Sequence, residues 1–126
     1  MGIAILSSLR SKDPSTQVGA CIVNSEKRIL SMGYNGMPRC CSDDDFPWDR
    51  NGCAVGSVRG CTVYTTLFPC NECAKAIIQS GITEVVYASD KYSDSDSVLA
   101  SKRMFETAGV KYRLYAPTGK GVTLSL

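Results

Sequence analysis

Histidine is missing altogether from these 126 residues, and with it the usual partner that completes a two-cysteine metal site. Charge of one sign is also in short supply. The formal net charge is +2, no basic run stands out and the aromatics are scattered, so a nucleic-acid surface is not expected. Long apolar runs are lacking too. Ala20–Val23 and Ile82–Ala88 fall far short of the ~20 residues that a membrane span needs. The start carries no basic, apolar and small-residue sequence of a secretory leader, so a cytoplasmic location is expected. A disulfide framework is excluded on different grounds. Seven cysteines is an odd number at irregular spacing, which points to a reducing interior with some thiols free and some on metal.

What is present suits one soluble domain covering residues 1–126, with 44% apolar and 21% charged residues. Ile3–Leu9 reads as the end of a helix, which "SKDPSTQ" (Ser11–Gln17) breaks at Pro14. Val18–Asn24 and Arg28–Gly36 are β-branched or aromatic segments around a turn and read as a hairpin. Met37–Gly60 is loop-like, with Pro38, Pro47 and several glycines. Then come a strand (Cys61–Leu67), a helix stopped by glycine (Cys70–Gly81), a strand (Ile82–Asp90), a second glycine-stopped helix (Ser95–Gly109) and a last strand (Val110–Pro117). The expected fold class is α/β, a hairpin followed by βαβαβ, with helices layered on a mixed five-stranded sheet.

"LFPCNECAK" (Leu67–Lys75) carries the chemistry. A Cys-x-x-Cys where a strand becomes a helix has several readings: a redox dithiol, a structural zinc site, a catalytic zinc site, or two small buried hydrophobes. Structural zinc needs a second closely spaced ligand pair. Cys40 and Cys41 are adjacent and Cys21, Cys53 and Cys61 stand alone, so that pattern is absent. Dithiol oxidoreductases place their pair after an early central strand, whereas here a hairpin comes first. A catalytic zinc site held by Cys70 and Cys73 is the reading that remains, and Pro69 completes the second half of a deaminase signature, P-C-x-x-C.

Together, "SKDPSTQVGACIVN", "GYNGMP", "CSDD", "LFPCNECAK" and "SDKYSDSD" closely resemble the deoxycytidylate branch of the zinc-dependent cytidine deaminase family, in the right order from Met1 to about Pro117. The resemblance implies a three-layer α/β/α fold and hydrolysis of dCMP to dUMP with Zn2+ on Cys70 and Cys73. It implies that Asn35 hydrogen-bonds the deoxyribose. Lys91 and Tyr92, just past a strand end where ligands of open α/β sheets gather, are candidates for closing over the phosphate end. Helix amides near Ser93 or Ser95 would hold that phosphate. The resemblance further implies dCTP with Mg2+ as activator, dTTP as inhibitor, and a homo-hexamer.

One part of the pattern is not here. The family's third zinc ligand and its proton-carrying glutamate lie in a His-Ala-Glu stretch opening a separate helix. Only "DRNGCAVGSVRG" separates Trp48 from the strand at Cys61. That stretch, with three glycines, cannot hold a loop, a helix of typical ~11 residues and a return turn. No catalytic acid/base is therefore assigned. Cys53-Ala54-Val55 would be a relic with Val55 in the glutamate's place, or simply the cysteine that often precedes the histidine. Glu72 lies between the ligands, but a residue inside Cys-x-x-Cys is expected to point away from the metal. Asp43–Asp45 would suit a divalent ion or simply be solvated. The alternative to an enzyme is a silent nucleotide-binding or subunit-partner form on the same scaffold. A small redox protein is the third class.

Overall fold

Glycine stops and β-branched runs mark out the secondary structure of this computed structural model, which describes residues 1–36, 57–119 and 121. In chain order the elements are α1 (Gly2–Ser8), β1 (Gly19–Val23), β2 (Ile29–Tyr34), β3 (Thr62–Leu67), α2 (Asn71–Gln79), β4 (Glu84–Ser89), α3 (Asp96–Ala108) and β5 (Lys111–Leu114). The expected hairpin is β1–β2. Its turn closes where the Asn24 side chain accepts the Arg28 N–H at 2.9 Å, with Lys27 taking the left-handed conformation. The last strand is shorter than expected and ends at Leu114, three residues before Pro117. Most of the loop-like Met37–Gly60 stretch lies outside the described residues, including Cys40, Cys41, Cys53, Val55 and the aspartates 43–45.

The caps explain where the helices start and stop. Ser95 accepts the Val98 N–H at 3.3 Å and opens α3. At the other end Gly109 sits at φ 77°, and the Val110 N–H reaches back to the Phe105 carbonyl at 2.9 Å. This is a Schellman closure, which a left-handed glycine makes cheap. Gly81, at φ 82°, likewise follows α2 in the left-handed conformation.

The sheet runs β2-β1-β3-β4-β5. Its β2-β1-β3 half is antiparallel and its β3-β4-β5 half parallel, as a hairpin followed by two crossovers requires. The register lines up Ile22, Val63, Val85 and Tyr112 on one face. There they meet Ala74 of α2 and Val98 and Phe105 of α3. Phe68 binds this core together, with edge-on ring contacts to Tyr87 (4.9 Å), Tyr112 (5.6 Å) and Phe105 (6.0 Å).

Helix α1 covers the other face. Side chains alternate along β1, so Ala20 and Ile22 join the α2–α3 core while Gly19 faces α1. A Cβ on Gly19 would lie 2.6 Å from the Ser8 nitrogen and closer still to the Ala4 carbonyl. Helix, sheet and helices thus form the three expected layers.

Candidate metal and nucleotide site

One end of the sheet gathers the residues that carry chemistry. Strand β3 runs out through Phe68 and Pro69 to Cys70, and β4, parallel to it, runs out to Asp90, Lys91 and Tyr92. Strands β1 and β3 are antiparallel, so the start of β1 lies at that same end, with the Gly19 N–H on Thr66 Oγ1 at 3.1 Å. The end of β2, opposite Gly19, brings Asn35 alongside.

Cys70 is the extended N-cap residue of α2, and Cys73 lies in its first turn. Both are free and exposed. The head of α2 is held to α3 by Ser97, whose hydroxyl accepts the Asn71 N–H at 3.1 Å and donates to Asn71 Oδ1 at 3.0 Å. The Cys73 thiol is pushed up to about 11. The leading cause is partial shielding of its sulfur from water, followed by the charge and hydrogen bond of Cys70 and then the charge of Glu72. The shift disfavours a thiolate on Cys73 unless a cation shares its charge, and binding a cation there would release a proton.

Soft donors at Cys-x-x-Cys spacing on a helix start fit zinc as two of its ligands. A third donor is not among the described residues, where no three His, Cys, Asp or Glu side chains cluster. Glu72, between the two cysteines, is exposed and pairs with Lys75 at 3.1 Å. Cys21 and Cys61 are free and buried.

Asn35 is bound into the protein through both ends of its side-chain amide. Its Oδ1 accepts the Val18 N–H at 2.8 Å, while Nδ2 donates to the Thr16 carbonyl at 2.9 Å and to Asp13 Oδ2 at 3.1 Å. An amide offering both donor and acceptor to a sugar is therefore not what the structure contains, because both N–H groups are taken. Tyr92 is half exposed, with Lys91 Nζ 5.0 Å from its ring centre and its hydroxyl 3.5 Å from Thr16 Oγ1. The bond to Thr16 and then Lys91 lower the Tyr92 pKa. The phosphate-holding amides are expected near Ser93 or Ser95, at the start of α3. These two N–H groups already donate to the carbonyls of Asp90 and Tyr92, at 3.1 and 2.9 Å, and form the turn into α3.

Asp13 and Thr16, which join Asn35 to Tyr92, were not singled out from the sequence. The signal was the Asp-Pro-Ser-Thr order, where an aspartate can accept the N–H two residues on.

Comparison with known proteins places these observations. The family model for the "Cytidine and deoxycytidylate deaminase zinc-binding region" matches residues 1–89. The human deoxycytidylate deaminase is 49% identical over 138 positions, covering 93% of this chain and 78% of the relative. A probable deoxycytidylate deaminase of Drosophila melanogaster is 46% identical, covering 98% of this chain and 74% of the relative. The fold matches the dCMP deaminase of cyanophage S-TIM5 crystallised with dCMP and dUMP, at TM-score 0.69 and 22% identity, over 90% of this chain and 92% of that one. In the human alignment, 93% of 126 residues is about 117, so about 21 of the 138 positions face no residue of this chain. That shortfall is the size of a helix with its connections. Family model, identity and fold agree: the chain belongs to the cytidine and deoxycytidylate deaminase family.

Proposed function

We propose that this protein is a deoxycytidylate deaminase that takes dCMP and water to dUMP and ammonia, supplying the precursor of thymidylate. The observation that carries the reading is the pair Cys70 and Cys73 at the head of α2, set beside the strand end that leads to Lys91 and Tyr92. Cys70 and Cys73 would hold zinc as thiolates, with the helix dipole favouring their charge. When bound, zinc supplies the Lewis acidity that activates water toward C4 of cytosine. Asn35, held by Val18, Thr16 and Asp13, would receive the sugar, and Tyr92 with Lys91 would close over the phosphate end. Control by dCTP with Mg2+ and by dTTP, in a cytoplasmic hexamer, belongs to the same proposal.

A second reading is favoured by one specific observation. The sequence holds no histidine, and about 21 positions of the human relative have no counterpart. With neither imidazole nor paired glutamate, a chain of this composition would bind nucleotide without hydrolysing it. Intact mass, zinc content and dCMP turnover of the purified protein separate the two. A mass above 13.6 kDa by about a helix and its loop, with zinc and turnover, establishes the enzyme. A matching mass with dUMP binding and no turnover establishes the silent form. Turnover at matching mass would mean that the third ligand and the proton carrier come from residues other than His and Glu of the family pattern.

A further inference from the structure

The segment between α1 and β1 does more than connect them. Backbone N–H groups only donate and carbonyls only accept, so the contacts of Asn35 with Val18 and Thr16 settle which end of its amide is oxygen. With the second N–H on Asp13, no donor is left over, and Oδ1 keeps one lone pair beyond the Val18 bond. Locked this way, Asn35 can accept from a ligand but not donate to it. Its partner must carry a hydrogen, as a sugar hydroxyl does.

Asp13 is the centre of this arrangement. Its Oδ1 accepts the Ser15 N–H at 2.8 Å, the Ser15 hydroxyl at 2.9 Å and the Thr16 N–H at 3.2 Å, while Oδ2 holds Asn35. Its own N–H donates to Ser11 Oγ, which in turn donates to the Asn35 carbonyl at 2.7 Å. Through Thr16 the same carboxylate also sets the residue that touches Tyr92. The two candidate nucleotide contacts, on different strands' ends, are therefore aligned by one side chain.

We propose that Asp13 is a positioning residue that holds Asn35 as an obligate hydrogen-bond acceptor and so makes the site selective for nucleotides with a free sugar hydroxyl. This rests on the nucleotide reading above. It concerns binding rather than turnover, so it applies to an active and a silent protein alike.

The test is calorimetric binding of dUMP and of 2′,3′-dideoxyuridine 5′-monophosphate, which lacks the hydroxyl. In the unaltered protein, loss of that hydroxyl should weaken binding about tenfold, the worth of one hydrogen bond. Asp13→Asn retains an oxygen for the Ser15 and Thr16 N–H groups but turns an NH2 toward the NH2 of Asn35. It should keep the fold, by circular dichroism and melting, yet reduce the tenfold penalty to about twofold or less. Asn35→Ala should do the same. A tenfold penalty that persists in Asp13→Asn and vanishes in Asn35→Ala would reduce Asp13 to a turn residue and overturn the proposal. A penalty that persists in both would show that Asn35 is not the acceptor, leaving nucleotide binding intact. Failure of the unaltered protein to bind dUMP would overturn both readings together.

Discussion

Cys70 and Cys73 differ from the other described cysteines in one physical respect. Cys21 and Cys61 are buried and act as small apolar groups, whereas the α2 pair is exposed at a helix head. A serine hydroxyl does not ionise near neutral pH, so Cys70→Ser and Cys73→Ser should each abolish retention of about one equivalent of zinc, measured by elemental analysis after dialysis. Unchanged zinc in either variant would remove that residue from the ligand set. Asp13 provides the pH-dependent counterpart. Hydrogen bonds from the Ser15 N–H, the Ser15 hydroxyl and the Thr16 N–H hold its carboxyl below the ordinary 3.8. A lowered folded-state pKa stabilises the fold in full above the unfolded value, and the contribution fades as pH falls through the folded one. Carboxyl carbon NMR should therefore show Asp13 titrating below 3.8, and a midpoint at or above that value would contradict the network.

Among the elements, α1 is the most exposed to single changes, because it meets β1 through a glycine. Gly19→Ala would push a methyl into the Ala4 carbonyl and the Ser8 backbone. Backbone cannot step aside as a side-chain tip does, so the cost should be about 3 kcal/mol or more, as for severe overpacking. Gly109→Ala makes the control. Its Cβ would meet nothing within 4 Å, and only the left-handed φ of 77° is penalised, at about 1–2 kcal/mol. Denaturant titration of both variants should rank Gly19→Ala as the more damaging, and the reverse order would mean that α1 does not seat on β1 as described. The helix stops and the hairpin were legible in the sequence because Gly81, Gly109 and the Asn24 turn are local signals. The extent of β5 was not. Tyr115 still bonds the Tyr87 carbonyl at 2.8 Å, but the strand itself ends at Leu114 although its neighbour β4 runs on to Ser89.

At the scale of the whole molecule, stability is concentrated in the α2–α3 face, where Phe105 is fully buried against Phe68 and Tyr112. Phe105→Ala should cost about 3–5 kcal/mol in denaturant unfolding, and a loss below about 1 kcal/mol would place the core elsewhere. The opposite extreme among the described residues is β2, an edge strand there with Ile29, Met32 and Tyr34 at 44%, 58% and 45% exposure. Unpaired edges of this kind favour self-association, and lysine is a natural remedy. Met32→Lys should therefore lower the concentration-dependent light scattering of the protein while leaving its melting temperature nearly unchanged.

Local order was the sequence's own contribution to this protein. The helix stops, the hairpin turn, the thiol pair and its place at a helix start all follow from nearest-neighbour chemistry, in which a residue's meaning depends on a few positions either side. The site depended on contacts between distant parts of the chain. Asp13, Asn35 and Tyr92 lie in three separate segments, and only the crossover topology brings their hydrogen bonds together. The sequence shows Asn35 as a turn residue with an amide to offer. Tertiary structure commits both of its N–H groups, because a buried or half-buried donor must be satisfied by whatever acceptor the fold supplies.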